Sequence, residues 1–184
     1  MPRGIIIFGS AGAGKTTLGK MVAQQLKYPY FDIDDYIWRK DTNTPFTVMY
    51  SREEKASRLL EAISKHKHFV MAGSMDSFNA PFVPMFDLAV HITAASEVRM
   101  ARIHERELEI FGDRILKNGD MFEEHQRFLD SASRYETDGS PCLKTHLEWA
   151  ATLPCKVLYL NGEDELNINV GLVVEAYMHS INSR

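Results

Sequence analysis

Four apolar residues in succession, Ile5-Ile6-Ile7-Phe8, lead straight into Gly9-Ser10-Ala11-Gly12-Ala13-Gly14-Lys15-Thr16, and a helical repeat opens directly behind them. A strand without polar alternation offers no face to water, so it is expected to be covered on both sides, as strands of a parallel sheet are. Further apolar runs recur at Tyr30 to Ile33, Phe69 to Ala72, Leu88 to Ile92 and Lys156 to Leu160. Helical spacing of apolar residues predicts helices over Lys15 to Leu26, Ala95 to Phe111, Met121 to Tyr135, Leu143 to Leu153 and Ile168 to Ile181. Ser51 with Glu54 makes a capping box ahead of one more. Asp41 to Pro45 and Asp138 to Pro141 are turn-like. Strands alternating with helices predict a three-layer α/β fold with a five-stranded parallel sheet, and ligands of such folds sit outside the carboxyl ends of the strands. Gly9, Asp32 and Gly73 all fall at such ends.

The chain has 184 residues, 45% of them hydrophobic and 25% charged, which is enough for one domain over residues 1–184 with its own core and too ordinary for a disordered chain. With 21 Lys+Arg against 25 Asp+Glu, a net charge of -4 provides no general attraction to nucleic acid or to an anionic membrane surface. The run Gly4 to Phe8 is too short for a signal-peptide core, and no apolar run approaches the roughly 20 residues of a membrane helix. A cytoplasmic protein, monomer or homodimer, is expected. Cys142 and Cys155 have no neighbour at zinc spacing and read as plain thiols.

Gly9 to Thr16 fits G-x-x-x-x-G-K-[ST] without a mismatch, after an expected strand and opening an expected helix. Glycines at Gly9, Gly12 and Gly14 let the backbone, with Ala11 and Ala13 between them, wrap a phosphate with N–H groups inward, and the helix N-terminus adds its partial positive charge. Lys15 would reach the β- and γ-phosphates of ATP, Thr16 would give a hydroxyl to Mg²⁺, and Thr17 would lie near the α-phosphate. The competing reading is a glycine-rich turn with a chance Lys-Thr. The guanine-reading pattern Asn-Lys-x-Asp is absent, which favours ATP over GTP.

Mg²⁺ bound to a triphosphate seeks hard oxygen ligands, and Asp32 and Asp34 follow the second strand. Were the segment extended, these two carboxylates would converge while Ile33 points inward, one holding a metal-bound water and the other accepting a proton from a substrate hydroxyl. Alternatively, this is an acidic turn in which Asp34 or Asp35 caps a short helix through Tyr36, Ile37 and Trp38.

A phosphate loop at the N-terminus, Phe31-Asp32-Ile33-Asp34 some fifteen residues beyond it, and a glycine-ended third strand together resemble the shikimate kinase and nucleoside monophosphate kinase group of P-loop proteins. The resemblance covers most of the chain in element order and is specific in the first forty or so residues. It implies a sheet ordered 2-3-1-4-5, a lid that closes between the last two strands, here around residues 104–120, ATP and Mg²⁺ as cofactors, and a small-molecule acceptor. It assigns Mg²⁺ to Asp32 and the substrate hydroxyl to Asp34. The loop Gly73-Ser74-Met75-Asp76 stands where the group has three glycines, and Arg52 with Glu53 and Glu54 loosely matches its substrate-binding Arg-Glu. No Arg-Pro pair occurs in the lid. The polar residues Ser74, Asp76, Ser77 and Asn79 would read a hydroxylated or amine-bearing substrate, or simply form a solvated loop.

Helical spacing places Arg99, Arg102 and Arg106 on neighbouring faces of two turns. By resemblance Arg102 is the arginine at the base of the lid, and Arg106 and Arg114 flank the part that closes on the transferring phosphoryl group. Glu105, Glu107, Glu109 and Asp113 are interleaved, so a salt-bridged surface helix is the competing reading. His91 reads as a satisfied core histidine, and His104, His125 and His146 have no metal spacing. Three functions follow from these residues: an ATP-dependent small-molecule kinase first, then a nucleotide-dependent switch or accessory ATPase with no acceptor, then a nucleoside monophosphate kinase.

Overall fold

The computed structural model describes residues 1–42, 47–75 and 77–182. Five parallel strands, β1 (Arg3–Gly9), β2 (Tyr30–Asp32), β3 (His68–Ala72), β4 (Phe86–Thr93) and β5 (Lys156–Asn161), form one sheet in the order β2-β3-β1-β4-β5. Helices α1 (Lys15–Leu26), α2 (Asp34–Ile37), α3 (Arg52–Ser64), α4 (Ser96–Phe111), α5 (Phe122–Ser133), α6 (Leu143–Thr152) and α7 (Leu166–Asn182) connect or follow them. The expected order and the expected fold class both hold.

Two cores explain the unbroken apolar runs. Ile5 and Ile7 of β1 pack with Leu18, Val22, Val173 and Tyr177 under α1 and α7, while Ile6 and Phe8 pack with Leu59, Ile63 and Phe82 on the other face. The period of two is present but both faces are dry, so hydropathy does not alternate. β1 sits in the middle of the sheet, with Ile5 paired to Val70 on one side and to Leu88 on the other. The loop that follows it therefore leaves the best-buried strand.

Helix starts differ in a telling way. At α3, Ser51 accepts from Glu54 N while the Glu54 side chain accepts from Ser51 N, the expected capping box. At α1 the cap is Gly14, in a left-handed conformation, with no side-chain cap and no acidic residue in the first turn. The first N–H groups of α1 are thus left to an anion from outside the helix.

Two local expectations are corrected. Asp32 and Asp34 do not lie on one extended segment: the strand ends at Asp32, Ile33 is already helical in φ and ψ, and Asp34 opens α2. Nor does Asp34 or Asp35 cap that helix; the Asp32 carboxylate does part of the work, accepting from Asp34 N at 3.2 Å. The turn expected over Asp41 to Pro45 lies largely outside the described residues, as does Asp76 of the polar loop. Among the described residues, no helix is long and apolar enough to cross a membrane.

Candidate active site

The loop after β1 needs its glycines sterically. Gly9 has φ of +139°, and a Cβ there would lie 1.9 Å from the Ile92 carbonyl oxygen; Gly12 has φ of +77°, and its Cβ would lie 2.6 Å from that of Arg99. No L side chain fits either place. Lys15 Nζ folds back over the loop and donates to Ser10 O at 2.8 Å. Burial around the ammonium, opposed by the carboxylates Asp34 and Asp32 and aided by the charges of Arg106 and Arg99, lowers its pKa to about 8. An ammonium so poorly solvated gains more from an arriving phosphate than one in open water.

Across the loop stand the acids. Thr16 Oγ1 donates to Asp32 Oδ2 at 3.3 Å, and Tyr30 donates its phenol proton to the same oxygen at 3.1 Å. Tyr30 was not among the expected site residues, although it lies two residues before Asp32 on the same strand and so shares its face. The Asp34 carboxyl is reached by water yet walled by protein; that burial, with the charge of Asp32, raises its pKa, while Lys15 and Arg106 pull the other way. A hydroxyl and a carboxylate 3.3 Å apart are hard oxygens close to the roughly 2.9 Å separating adjacent ligands of an octahedral Mg²⁺, so this pair fits that ion. Among the described residues, no group of three or more His, Cys, Asp or Glu side chains could hold a metal by itself.

The four arginines have four different fates. Arg102 donates from Nη1 to Gly162 O at 3.0 Å and lines, with Gly14, Thr17, Gly162, Leu166 and Asn169, a cleft of about 390 Å³ beside the loop. Arg106 is half-exposed, 3.7 Å from Glu107, and its charge is felt at both Lys15 and Asp34. Arg114 forks Asp120 at 2.9 and 2.8 Å on the surface of the turn before α5. Arg99, expected beside them, is fully buried: it donates to Ala94 O and Ala132 O, forks Glu136 at 2.7 Å, and has Nη1 3.5 Å from Ala11 O. It braces the underside of the loop against the end of α5. Glu136→Gln strands that guanidinium in the interior, and the expected cost is about 3 kcal/mol, at the low end for a buried pair because water reaches Glu136. A urea denaturation curve measures it, and an unchanged midpoint would show that the brace carries no stability.

The segment around 104–120, where a lid is expected, forms part of a helical hairpin. Gly112 ends α4 with φ of +58°, Asn118 turns at +74°, and α5 returns. His125 sits between the two helices, its Nδ1 2.6 Å from Glu107 Oε2 and its Nε2 2.9 Å from His104 Nδ1, so these histidines tie the hairpin together.

After β3, Gly73 donates its N–H to Ile7 O at 3.0 Å and has φ of +136°; a Cβ there would lie 2.7 Å from that of Ile33. This contact sets the loop Gly73-Ser74 against the Asp32–Asp34 corner. Ser74 Oγ lies 3.5 Å from His146 Nε2, a contact between residues 72 positions apart that has no local sequence signal. Arg52 is exposed at the first turn of α3.

Comparison with known proteins places the chain among kinases of one family. The family model described as shikimate kinase matches residues 11–137. An uncharacterized protein of Bacillus subtilis (strain 168), YqaC, is 27% identical over 177 residues, covering 95% of this chain and 97% of that one. Shikimate kinase 2 of Yersinia pestis (strain Pestoides F) is 30% identical over 113 residues, 57% of this chain and just under two thirds of that kinase, 65%. Among solved structures, a sugar kinase from Janibacter sp. HTCC2649 superposes with a TM-score of 0.56 at 12% identity, covering 96% of this chain and 94% of its own, a likeness of fold.

Proposed function

The chain belongs to the shikimate kinase family, and on that premise we propose that it transfers the γ-phosphoryl group of MgATP to a hydroxyl of a small hydroxylated metabolite. The observation that carries this reading is the electrostatic coupling of Lys15 and Asp34: a poorly solvated ammonium on the phosphate loop and a carboxyl with raised proton affinity, each felt by the other. A switch protein needs the first of these and has no use for the second.

In this reading the backbone from Gly12 to Thr17 cradles the phosphates at the uncapped start of α1. Lys15 exchanges its bond to Ser10 O for the β- and γ-phosphate oxygens and offsets the charge that spreads over the transferring group. Thr16 and Asp32 hold Mg²⁺, which when bound neutralises part of the triphosphate charge. Asp34 accepts the proton of the acceptor hydroxyl or orients it for in-line attack. Arg102 closes the cleft in which the nucleoside lies, and Arg106 approaches the γ-phosphate from the lid. The segment around 104–120 folds down to exclude water, which protects ATP from hydrolysis. Arg114 would join the site only by releasing Asp120. Gly73 and Ser74, and Arg52 from α3, border the acceptor.

The acceptor is named by measuring ATP consumption with and without shikimate, sugars, nucleosides and nucleoside monophosphates. One compound should stimulate turnover at least tenfold over the acceptor-free rate. A flat panel with slow intrinsic hydrolysis would instead identify a nucleotide-dependent switch.

A further inference from the structure

Behind Ser74, residues of three separate segments join in a chain of hydrogen bonds that none of the roles above uses. His91 Nε2 on β4 lies 2.9 Å from Tyr135 Oη; Tyr135 Oη lies 2.8 Å from His146 Nδ1 on α6; His146 Nε2 lies 3.5 Å from Ser74 Oγ. His91, Tyr135 and His146 are at most 4% exposed, whereas Ser74 at the end of the chain is half-buried and stands next to Gly73. Phe8, the residue before the phosphate loop, packs against both imidazoles, with ring centroids 5.0 and 5.4 Å away, and fixes their planes.

The proton inventory of this chain is restrictive. Burial and the neighbouring His146 lower the pKa of His91 to about 4, so its ring is neutral near pH 7. With both rings neutral and the Tyr135 hydroxyl donating to one and accepting from the other, the chain runs in one of two senses. In one, Tyr135 donates to His91 Nε2, His146 Nδ1–H donates to Tyr135, and Ser74 donates its proton inward to His146 Nε2, leaving its lone pairs for a ligand. In the other every bond is reversed, His146 Nε2–H donates to Ser74, and the Ser74 proton is left for a ligand. Both rings are Nδ1–H in the first case and both are Nε2–H in the second. The last link is long for a hydrogen bond, which leaves the Ser74 hydroxyl capacity to bond a ligand.

We propose that His146, backed by Tyr135 and His91, is a positioning residue for the phosphoryl acceptor: it holds the Ser74 hydroxyl through one hydrogen bond, and the remaining capacity of Ser74 reads a neutral hydroxyl of the acceptor other than the one phosphorylated. A hydroxyl both donates and accepts, so it complements Ser74 in either arrangement, whereas a carboxylate complements only one. The inference rests on the kinase reading above and adds a specificity determinant to it.

The test uses the full chain and four variants, Ser74→Ala, His146→Asn, His146→Gln and the double variant Ser74→Ala/His146→Asn, with ATP turnover measured against shikimate, sugars and nucleosides. Asparagine keeps a polar group near the Nδ1 position and loses reach to Ser74; glutamine reaches the Nε2 position. For the compound that stimulates wild type, Ser74→Ala and His146→Asn should each raise the acceptor KM about tenfold, the size of one lost hydrogen bond. The double variant should be no worse than either single one, His146→Gln should lie nearer wild type, and the KM for ATP should stay within about twofold throughout. Acceptor KM unchanged in Ser74→Ala or His146→Asn overturns the inference and leaves the kinase reading standing. Absence of stimulation in wild type overturns the kinase reading, and the inference with it. Independently of variant folding, ¹⁵N NMR of the wild-type histidine rings should find His91 and His146 in the same tautomer, and opposite tautomers contradict the chain.

Discussion

Lys15→Ala abolishes phosphoryl transfer and weakens MgATP binding: turnover falls by at least about a thousandfold, in keeping with the loss of one preorganised cation at a developing charge. The reason is positional. Gly9 and Gly12 permit a loop that no other residues could form, the uncapped start of α1 leaves N–H groups for an anion, and Lys15 is the one cation of the loop. Steady-state kinetics and calorimetric titration with MgATP check both halves, and turnover within tenfold of wild type would sink the assignment. The same residue sets a pH dependence. Burial lowers the Lys15 pKa to about 8 in the free protein, so as pH rises through that value the charge is lost and ATP affinity falls. Bound phosphate raises that pKa again, so the complex keeps the proton to higher pH than the free protein does.

Asp34→Asn separates binding from chemistry. The carboxyl is coupled to Lys15 and Arg106, and its raised proton affinity comes first from burial and then from Asp32. Asparagine keeps the volume and loses the base, so transfer drops by about a thousandfold while MgATP binds within about threefold of wild type. Removing a carboxylate whose charge is felt at Lys15 also removes some repulsion toward an arriving phosphate, so ATP binding tighter by a small factor is consistent with the role. Transfer near the wild-type rate in this variant would show that the hydroxyl needs no base at this position.

How much of this was legible beforehand depended on whether a feature is local. The strand, the loop and α1 are contiguous, and their spacing is dictated by phosphate geometry, so Gly9 to Thr16 could be read directly. The capping box at Ser51 and Glu54 is equally local. The Asp32–Asp34 pair was read on a wrong premise, because the strand ends earlier than its apolar content implies and α2 starts at once. In α4, helical spacing brought Arg99, Arg102 and Arg106 together without saying which side faces the core. Arg99 and Ile103, four residues apart, are buried, whereas Arg102 and Arg106, also four apart, face outward. A buried arginine is ruled out by hydropathy and allowed by Glu136 and two carbonyls that lie 33 or more residues away or at the preceding turn. The His91–Tyr135–His146–Ser74 chain is the extreme case: four residues on four segments, related only by the fold.

The central claim is that phosphate leaves ATP for an organic hydroxyl instead of for water. Phosphorus NMR of a reaction with MgATP and the stimulating acceptor follows every phosphorus atom at once. A new phosphomonoester resonance should grow in step with ADP, with little orthophosphate, in wild type and not in Lys15→Ala or Asp34→Asn. Orthophosphate alone, released at the same rate with and without acceptor, would contradict the account.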